Sequence, residues 1–191
     1  MKTNIAILLI IGTLTYALTL YLSQNNIAPN INEAPDKSAI QKDIKTAQKA
    51  PDFTFTDNAG KTHKASDFKG KIIILNFWAS WCAPCIKEFP NLLTIAESYK
   101  DDTILIALSS DLDKSAITKF INKMKSTTDL NFDAPNIFIA LDEDQKITAG
   151  TFSTFKLPET IIIDRNQTIR HKLIGADWDI KNLQEIIEKL K

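Results

Sequence analysis

The stretch NFWASWCAPCIKEFP, residues 76–90, contains both cysteines of a 191-residue chain. Cys82 and Cys85 are separated by two residues and follow an apolar run, Ile72–Trp78. Such a run is typical of a strand that is buried on both faces of a sheet. A helix is predicted to follow, from about Cys82 to Tyr99. The two thiols are therefore expected at a strand-to-helix junction.

A C-x-x-C pair at such a junction indicates redox chemistry. Cys82 would lie at the helix start, where unpaired N–H groups and the helix dipole stabilise the attacking thiolate. Cys85, in the first turn and more covered, could resolve a mixed disulfide made by Cys82. Pro84 has no N–H to offer, so we expect a moderately acidic Cys82, which favours a reductant over a strong oxidant.

Two alternatives compete with the redox interpretation. One is a permanent disulfide in an exported protein, although so small a loop would contribute little stability. The other is a zinc or copper site, which needs further ligands. His63 and His171 are distant in sequence, and each is predicted to be an ordinary surface residue on a hairpin.

Charge and hydropathy separate the N-terminus from the rest of the chain. Lys+Arg and Asp+Glu both number 23, so no basic surplus indicates nucleic acid. Residues 5–22 carry no charge and are just long enough to span a bilayer. We expect residues 1–22 to anchor the chain in a membrane, with the rest of the chain translocated across it. The alternatives are a cleaved signal peptide and, less favoured, a buried core helix. Residues 23–50 resemble a flexible linker, leaving residues 51–191 as one domain.

The body alternates predicted strands and helices, with a hairpin at each end. A short helix over residues 37–49 is possible before it. The predicted strands are Ile72–Trp78, Thr103–Ser110, Asn136–Leu141, Thr160–Asp164 and the stretch from Thr168, with a hairpin around Asp57–Gly60; the predicted helices are Cys82–Tyr99, Asp111–Met124, Ile147–Phe152 and Trp178–Leu190. This order predicts an α/β sheet with a mixed edge.

The segment FWASWCAPC resembles the active-site segment of thioredoxin-like proteins. Together with the N-terminal apolar stretch, WCAPCIKEFP is similar to the TlpA/ResA-type membrane-anchored thiol–disulfide oxidoreductases, which are related to the CcmG type. The resemblance implies a thioredoxin-like fold, with a central mixed β-sheet flanked by helices and an N-terminal hairpin. Residues 110–152 would correspond to the family's helix-containing insertion.

The resemblance also assigns roles to residues away from the two cysteines. Pro158 matches the cis-proline that faces the thiols, and its role would be to bring the backbone of Leu157 beside the sulfurs, where a client chain can pair as an added strand. The alternative is a trans proline that opens an edge strand. The resemblance also assigns Trp81, Leu157 and Glu159 to substrate binding, the last through a Pro-Glu-Thr segment similar to CcmG-type members.

Asn76 and Glu88 mark a departure from cytosolic thioredoxins. Asn76 occupies the place of their buried acid, whereas Glu88 matches the acid of the ResA-type C-x-P-C-x-x-E-F-P pattern. Glu88 lies three residues after Cys85 and hence on the same helix face. If it is half-buried, its pKa would rise and it could shuttle the proton of Cys85. The alternative is a solvated helix glutamate.

The resulting prediction is a protein-disulfide reductase that needs no cofactor beyond its Cys82–Cys85 disulfide. The resemblance implies a location in the bacterial cell envelope and a membrane dithiol donor of the DsbD/CcdA type. It implies clients that are apocytochrome c, with C-x-x-C-H cysteines, or proteins with copper-site cysteines. A Cu(I) metallochaperone and a thioredoxin-fold peroxidase are the rival functions.

Overall fold

The computed structural model describes residues 11–18, 20–21 and 48–191. The chain divides into two units, residues 1–37 and 38–191. In the first unit, residues 11–18 and 20–21 are helical. Within the described ranges, no helix has the length and apolar character needed to cross a membrane. The other residues of the predicted anchor, and nearly all of the predicted linker, lie outside the described residues.

Eight strands are found in the described part of the second unit. They are β1 (Gln48–Lys49), β2 (Thr54–Thr56), β3 (Thr62–Lys64), β4 (Ile72–Trp78), β5 (Thr103–Ser109), β6 (Ile137–Leu141), β7 (Glu159–Ile163) and β8 (Thr168–Ile174). Six form one sheet in the order β1-β8-β7-β4-β5-β6, and β2 and β3 form the predicted hairpin. β4, β5 and β6 are parallel, whereas β7, β8 and β1 are antiparallel, so the predicted mixed sheet is confirmed.

The central strand β4 separates two hydrophobic cores. All seven of its residues are buried, as the apolar run predicts. Alternate side chains of a strand point to opposite faces. Ile72, Ile74 and Trp78 therefore join one core, and Ile73 and the other intervening apolar residues join the second core. A strand covered on both faces has little freedom to shift, and it gives the residues after Trp78 a fixed starting point.

Helices cover the sheet on the side of the first core. They are α1 (Ala83–Ser98), α2 (Lys114–Thr127) and α3 (Ile180–Leu190), with a single π-helical segment, Lys146–Thr151, between β6 and β7. Asp113 is the N-cap of α2, because its side chain accepts hydrogen bonds from the backbone N–H groups of Ser115 and Ala116. The helices agree with the predictions to within a few residues at each end.

Two predictions about polar segments are wrong. Gln48 and Lys49 do not end a helix, because they form β1 and pair with β8; the rest of the predicted helix over residues 37–49 lies outside the described residues. His63 is not on the surface. It is 8% exposed, its Nε2 lies 2.8 Å from Asp57 Oδ2, and its ring centroid lies 4.7 Å from that of Phe138. The hairpin folds onto the sheet and covers this ring.

Candidate active site

Cys82 and Cys85 form a disulfide at the start of α1, with sulfurs 2.04 Å apart. Cys82 is the N-cap of the helix, and its Sγ accepts a hydrogen bond from the backbone N–H of Cys85 at 3.3 Å. A sulfur thus occupies the capping place usually taken by a hydroxyl or carboxylate oxygen. Cys82 is 6% exposed and Cys85 is fully buried, so the predicted order of accessibility holds although both are largely covered.

The loop before Cys82 is tied to the end of the neighbouring strand β5. The Asp111 carboxylate accepts hydrogen bonds from the backbone N–H of Ser80 at 3.0 Å and from its hydroxyl at 2.8 Å. The Ser109 hydroxyl donates to the same carboxylate at 2.6 Å, and the Ser110 N–H donates to Trp78 O at 2.9 Å. These contacts hold the turn that delivers Cys82. Sequence analysis missed these contacts. The polar residues that follow two adjacent parallel strands could have indicated them, because the carboxyl ends of such strands lie at the same edge of the sheet.

A cleft of about 440 Å³ opens beside the disulfide. Its lining residues come from four separate segments of the chain: Trp81, Cys82, Pro84, Ser110, Gln145, Thr154, Phe155 and Leu157. The Leu157–Pro158 peptide bond is cis, as predicted. The fold therefore brings Trp81 and Leu157 to the sulfurs. Phe155, which is 86% exposed at this cleft, was missed by the sequence analysis, and an isolated exposed aromatic in a loop gives no periodic signal.

The carboxylate of Glu159 has its contacts elsewhere. Glu159 begins β7, and its side chain is buried. Its Oε1 accepts a hydrogen bond from the Thr154 hydroxyl at 3.0 Å and lies 3.1 Å from Lys172 Nζ. Glu159 is absent from the residues lining the cleft, but it holds Thr154, which is one of them.

Glu88 is buried on α1, three residues after Cys85, with 3% of its surface exposed. Its Oε1 accepts a hydrogen bond from Asn76 Nδ2 at 2.8 Å, and its Oε2 accepts one from Trp178 Nε1 at 3.0 Å. Burial raises the pKa of Glu88 to about 7, because the loss of water outweighs the two hydrogen bonds, which act in the opposite direction. Glu88 is not the solvated helix glutamate of the alternative interpretation.

Asn76 lies in the middle of β4 and connects Glu88 to β7. Besides donating to Glu88, its Nδ2 donates to the Thr160 hydroxyl at 3.0 Å. Its Oδ1 is buried and has no hydrogen-bond partner in the described part of the chain. The carboxylate of Glu88 is therefore paired with the carboxamide of Asn76, not with a second acid.

The Trp178 indole, which sequence analysis missed, is predicted to stabilise the ionised form of Glu88. Trp178→Phe removes one donor to a buried carboxylate, so the pKa of Glu88 should rise further above its usual range. We expect the free energy of unfolding, measured in urea, to fall by about 1.5–3 kcal/mol at about pH 8, where Glu88 is mostly ionised. At about pH 5 the free energy of unfolding should fall by less.

The matched control is Trp81→Phe, because Trp81 is 69% exposed. That variant should retain the stability of the wild type at both pH values. An equal loss of stability by Trp178→Phe at high and low pH would show that the indole only fills space.

Comparison with known proteins places this geometry in a family. The profile of the AhpC/TSA family matches residues 46–172. The thiol-disulfide oxidoreductase ResA of Bacillus cereus (strain ZK / E33L) is 35% identical over 153 residues, which are 80% of this chain and 82% of that protein. The chain belongs to the ResA-like thiol–disulfide oxidoreductases of this family. The ResA-like activity is thiol–disulfide exchange, and the Cys82–Cys85 disulfide at the head of α1 fits it.

Solved structures agree with the ResA-like assignment. The thioredoxin domain of a thiol-disulfide oxidoreductase from Bacteroides vulgatus is 26% identical, with a TM-score of 0.61 over 74% of this chain and 97% of that one. A thiol:disulfide interchange protein from Bacteroides sp. is 27% identical, with a TM-score of 0.60 over 75% and 88%. The predicted thioredoxin-like fold is confirmed.

Within residues 11–18, 20–21 and 48–191, no group of three or more His, Cys, Asp or Glu side chains is arranged to hold a metal ion.

Proposed function

We propose that this ResA-like oxidoreductase works as a reductant of disulfides in exported client proteins. The observation that carries the direction is the weak support for a thiolate on Cys82. Its Sγ receives the N–H of Cys85, whereas Pro84, at the preceding position of the helix, has no N–H to donate. A dithiol whose thiolate is only moderately stabilised holds its electrons less tightly and donates them more readily than a strong oxidant does.

The proposed reaction has two exchange steps. The Cys82 thiolate attacks one sulfur of a client disulfide, so an S–S bond forms between Cys82 and the client while the client's own S–S bond breaks. The released client sulfur leaves with the electron pair and takes a proton. Cys85 then attacks Cys82, which forms the Cys82–Cys85 disulfide and releases the second client sulfur as a thiol. The client gains two electrons and two protons. The chain supplies both electrons and the proton of Cys85, and the other proton is the one that Cys82 released when it became a thiolate.

Glu88 is proposed to accept the proton of Cys85 in the second step. Cys85 is fully buried and must become a thiolate before it can attack. Glu88 lies one helical turn further along the same face of α1. A carboxyl group with a pKa of about 7 exchanges a proton readily near neutral pH, so its raised value suits a general base.

Client binding is proposed to use the cleft beside the disulfide. Pro158 fixes the backbone of Leu157 at the cleft, where an extended client segment can pair with it by backbone hydrogen bonds. Trp81 and Phe155 are exposed apolar surfaces next to Cys82. Glu159 is proposed to act on the client indirectly, by holding Thr154.

Location and partners extend the proposal. Residues 1–22 would anchor the chain in the inner membrane, with residues 23–50 as a linker that ends in β1 and residues 51–191 as the catalytic domain in the periplasm or otherwise outside the cytoplasmic membrane. A membrane dithiol donor of the DsbD/CcdA type would return the electrons. The proposed clients are apocytochrome c, through its C-x-x-C-H cysteines, or proteins with copper-site cysteines.

A direct test uses the reduced full chain, purified in detergent, and an oxidised peptide that carries a C-x-x-C-H disulfide. We expect one mole of peptide dithiol to appear for each mole of Cys82–Cys85 disulfide formed. The double variant Cys82→Ala/Cys85→Ala should give none. Faster consumption of hydrogen peroxide than of peptide would favour the peroxidase, and stoichiometric copper retained without exchange would favour the metallochaperone.

A further inference from the structure

Ser110 carries a buried hydroxyl that the oxidised fold leaves unused. It directly follows β5 and is 7% exposed. Its Oγ is shielded from solvent and has no hydrogen-bond partner in the described part of the chain. A buried hydroxyl without a partner is unfavourable, and such groups in native proteins call for a functional or structural explanation.

The fold brings the residue that carries this hydroxyl to the cleft beside the disulfide. Ser110 and Cys82 line the same cleft, together with Pro84. The backbone of Ser110 is fixed by its N–H bond to Trp78 O. The next residue, Asp111, is bonded to both the backbone and the hydroxyl of Ser80. Hydrogen bonds made by Ser110 and Asp111 therefore hold this segment against the loop, residues 78–80, that leads to Cys82.

Reduction creates the acceptor that this hydroxyl lacks. A disulfide sulfur is neutral and a weak acceptor, whereas a thiolate is charged and attracts donors strongly. The residues lining the described cleft include no lysine, arginine or histidine that could balance this charge. Thr154 has already donated its hydroxyl to Glu159, and Gln145 is exposed to water. Ser110 is the buried donor that remains.

We propose that the Ser110 hydroxyl donates a hydrogen bond to Cys82 Sγ when Cys82 is a thiolate. The hydroxyl keeps its proton throughout, and no covalent bond to it forms. When Cys82 attacks a client disulfide, its negative charge passes to the departing client sulfur and the hydrogen bond is given up. The titratable or charged groups around this pair are Cys85 and Glu88 on α1, Asp111 beside the loop, and the Glu159–Lys172 ion pair that holds Thr154. None of these five residues is in the lining of the cleft.

The bond would exist in only one redox state, and this distinguishes it from a packing role. It stabilises the reduced form relative to the oxidised form, so the disulfide becomes easier to reduce. It also supplies the second neutral donor that the helix, with Pro84 in its first turn, does not provide. A neutral hydroxyl stabilises the thiolate less than a cation would. The thiolate therefore stays only moderately stabilised, as the proposed reductant requires.

The test compares Ser110→Ala with Ser98→Ala, which removes an exposed hydroxyl at the far end of α1. Both are made in the full chain in detergent. In a Cys85→Ala background, where Cys82 titrates alone, thiolate absorbance should show that Ser110→Ala raises the pKa of Cys82 by about one unit, a tenfold loss of thiolate below that pKa. With both cysteines present, the reduction potential should become more negative by about 30 mV, the same tenfold factor.

The oxidised form supplies the third measurement. Ser110→Ala should leave its stability unchanged or slightly increased, because the lost hydroxyl had no partner there. An unchanged Cys82 titration and an unchanged potential would overturn the proposal. A loss of stability in the oxidised form equal to that in the reduced form would also overturn it, because the hydroxyl would then be structural. These measurements use no client, so they do not depend on the proposed client class.

Discussion

Replacement of Cys85 by alanine is expected to stop the reaction at the mixed disulfide, with the client held on Cys82 through an S–S bond. The first exchange step needs only Cys82, which is the more exposed of the two cysteines. The second step needs a thiol held within the same helical turn. Intramolecular groups act at effective concentrations far above those of free thiols, so release of the client should slow on the order of 10³-fold or more.

Non-reducing electrophoresis of envelope proteins from cells that express Cys85→Ala should show adducts that disappear on reduction. Cys82→Ala is the matched control, because it keeps the resolving thiol and removes the attacking one. Identification of the captured proteins separates apocytochrome c from copper-site clients. Adducts of equal abundance in Cys82→Ala, or no adducts in Cys85→Ala, would contradict the assigned roles.

Glu88→Gln is expected to make the protein more stable and the enzyme slower. Native Glu88 has a pKa of about 7, above the ordinary value of 4.5 for a glutamate, so the native state binds more protons than the unfolded state between those two values. Its contribution to stability is fully present below about pH 4.5 and is lost as the pH rises through 7, by about 3 kcal/mol in total. Glutamine is neutral throughout and removes this loss, so urea titrations from about pH 5 to pH 8 should show a flatter profile and a gain at the alkaline end.

The cost of that gain should appear in the second exchange step. Without a carboxylate to take the proton of Cys85, resolution of the mixed disulfide near neutral pH should slow about a hundredfold. Single-turnover mixing of the reduced enzyme with an oxidised peptide measures this step. A substitution that stabilises the fold and slows the reaction marks a functional group rather than a packing group.

Glu97→Gln is the control, because Glu97 is an exposed glutamate on the same helix. It should change neither the stability profile nor the rate. A Glu88→Gln enzyme with the rate and pH dependence of the wild type would remove Glu88 from the proposed mechanism and leave it as a buried structural acid.

Local patterns were sufficient to predict the main part of this site. The run Ile72–Trp78 indicates a buried strand whichever partners it has, and the placing of Cys82 at a helix start follows from where that run ends. That Glu88 shares a helix face with Cys85 follows from the three-residue spacing, whereas the burial of Glu88 was one of two interpretations and is given by the structure. Each of these predictions depends on neighbours in sequence, whose geometry is fixed by the backbone.

Long-range partners were not predictable in this way. Trp178 and Glu88 are 90 residues apart, and no period in the sequence relates them. The pairing of β1 with β8 depends on an edge left open by the other strands, not on the residues of β1 themselves. His63 is covered because its hairpin folds over Phe138, a packing event that composition does not encode. The cis bond before Pro158 came from resemblance alone.

The carboxamide of Asn76 lets the buried pocket accept Glu88 in either state of protonation. A carboxylate needs donors, and Asn76 Nδ2 supplies one while its Oδ1 has no partner among the residues that the structure describes. A protonated carboxyl group instead needs an acceptor for its own O–H. Half a turn of the amide would present Oδ1 to that O–H, and the Thr160 hydroxyl, now bonded to Nδ2, could donate to the same oxygen. An aspartate at this position would offer no donor to a charged Glu88. The amide can act as donor or acceptor, so it can hydrogen-bond Glu88 both before and after Glu88 takes up a proton.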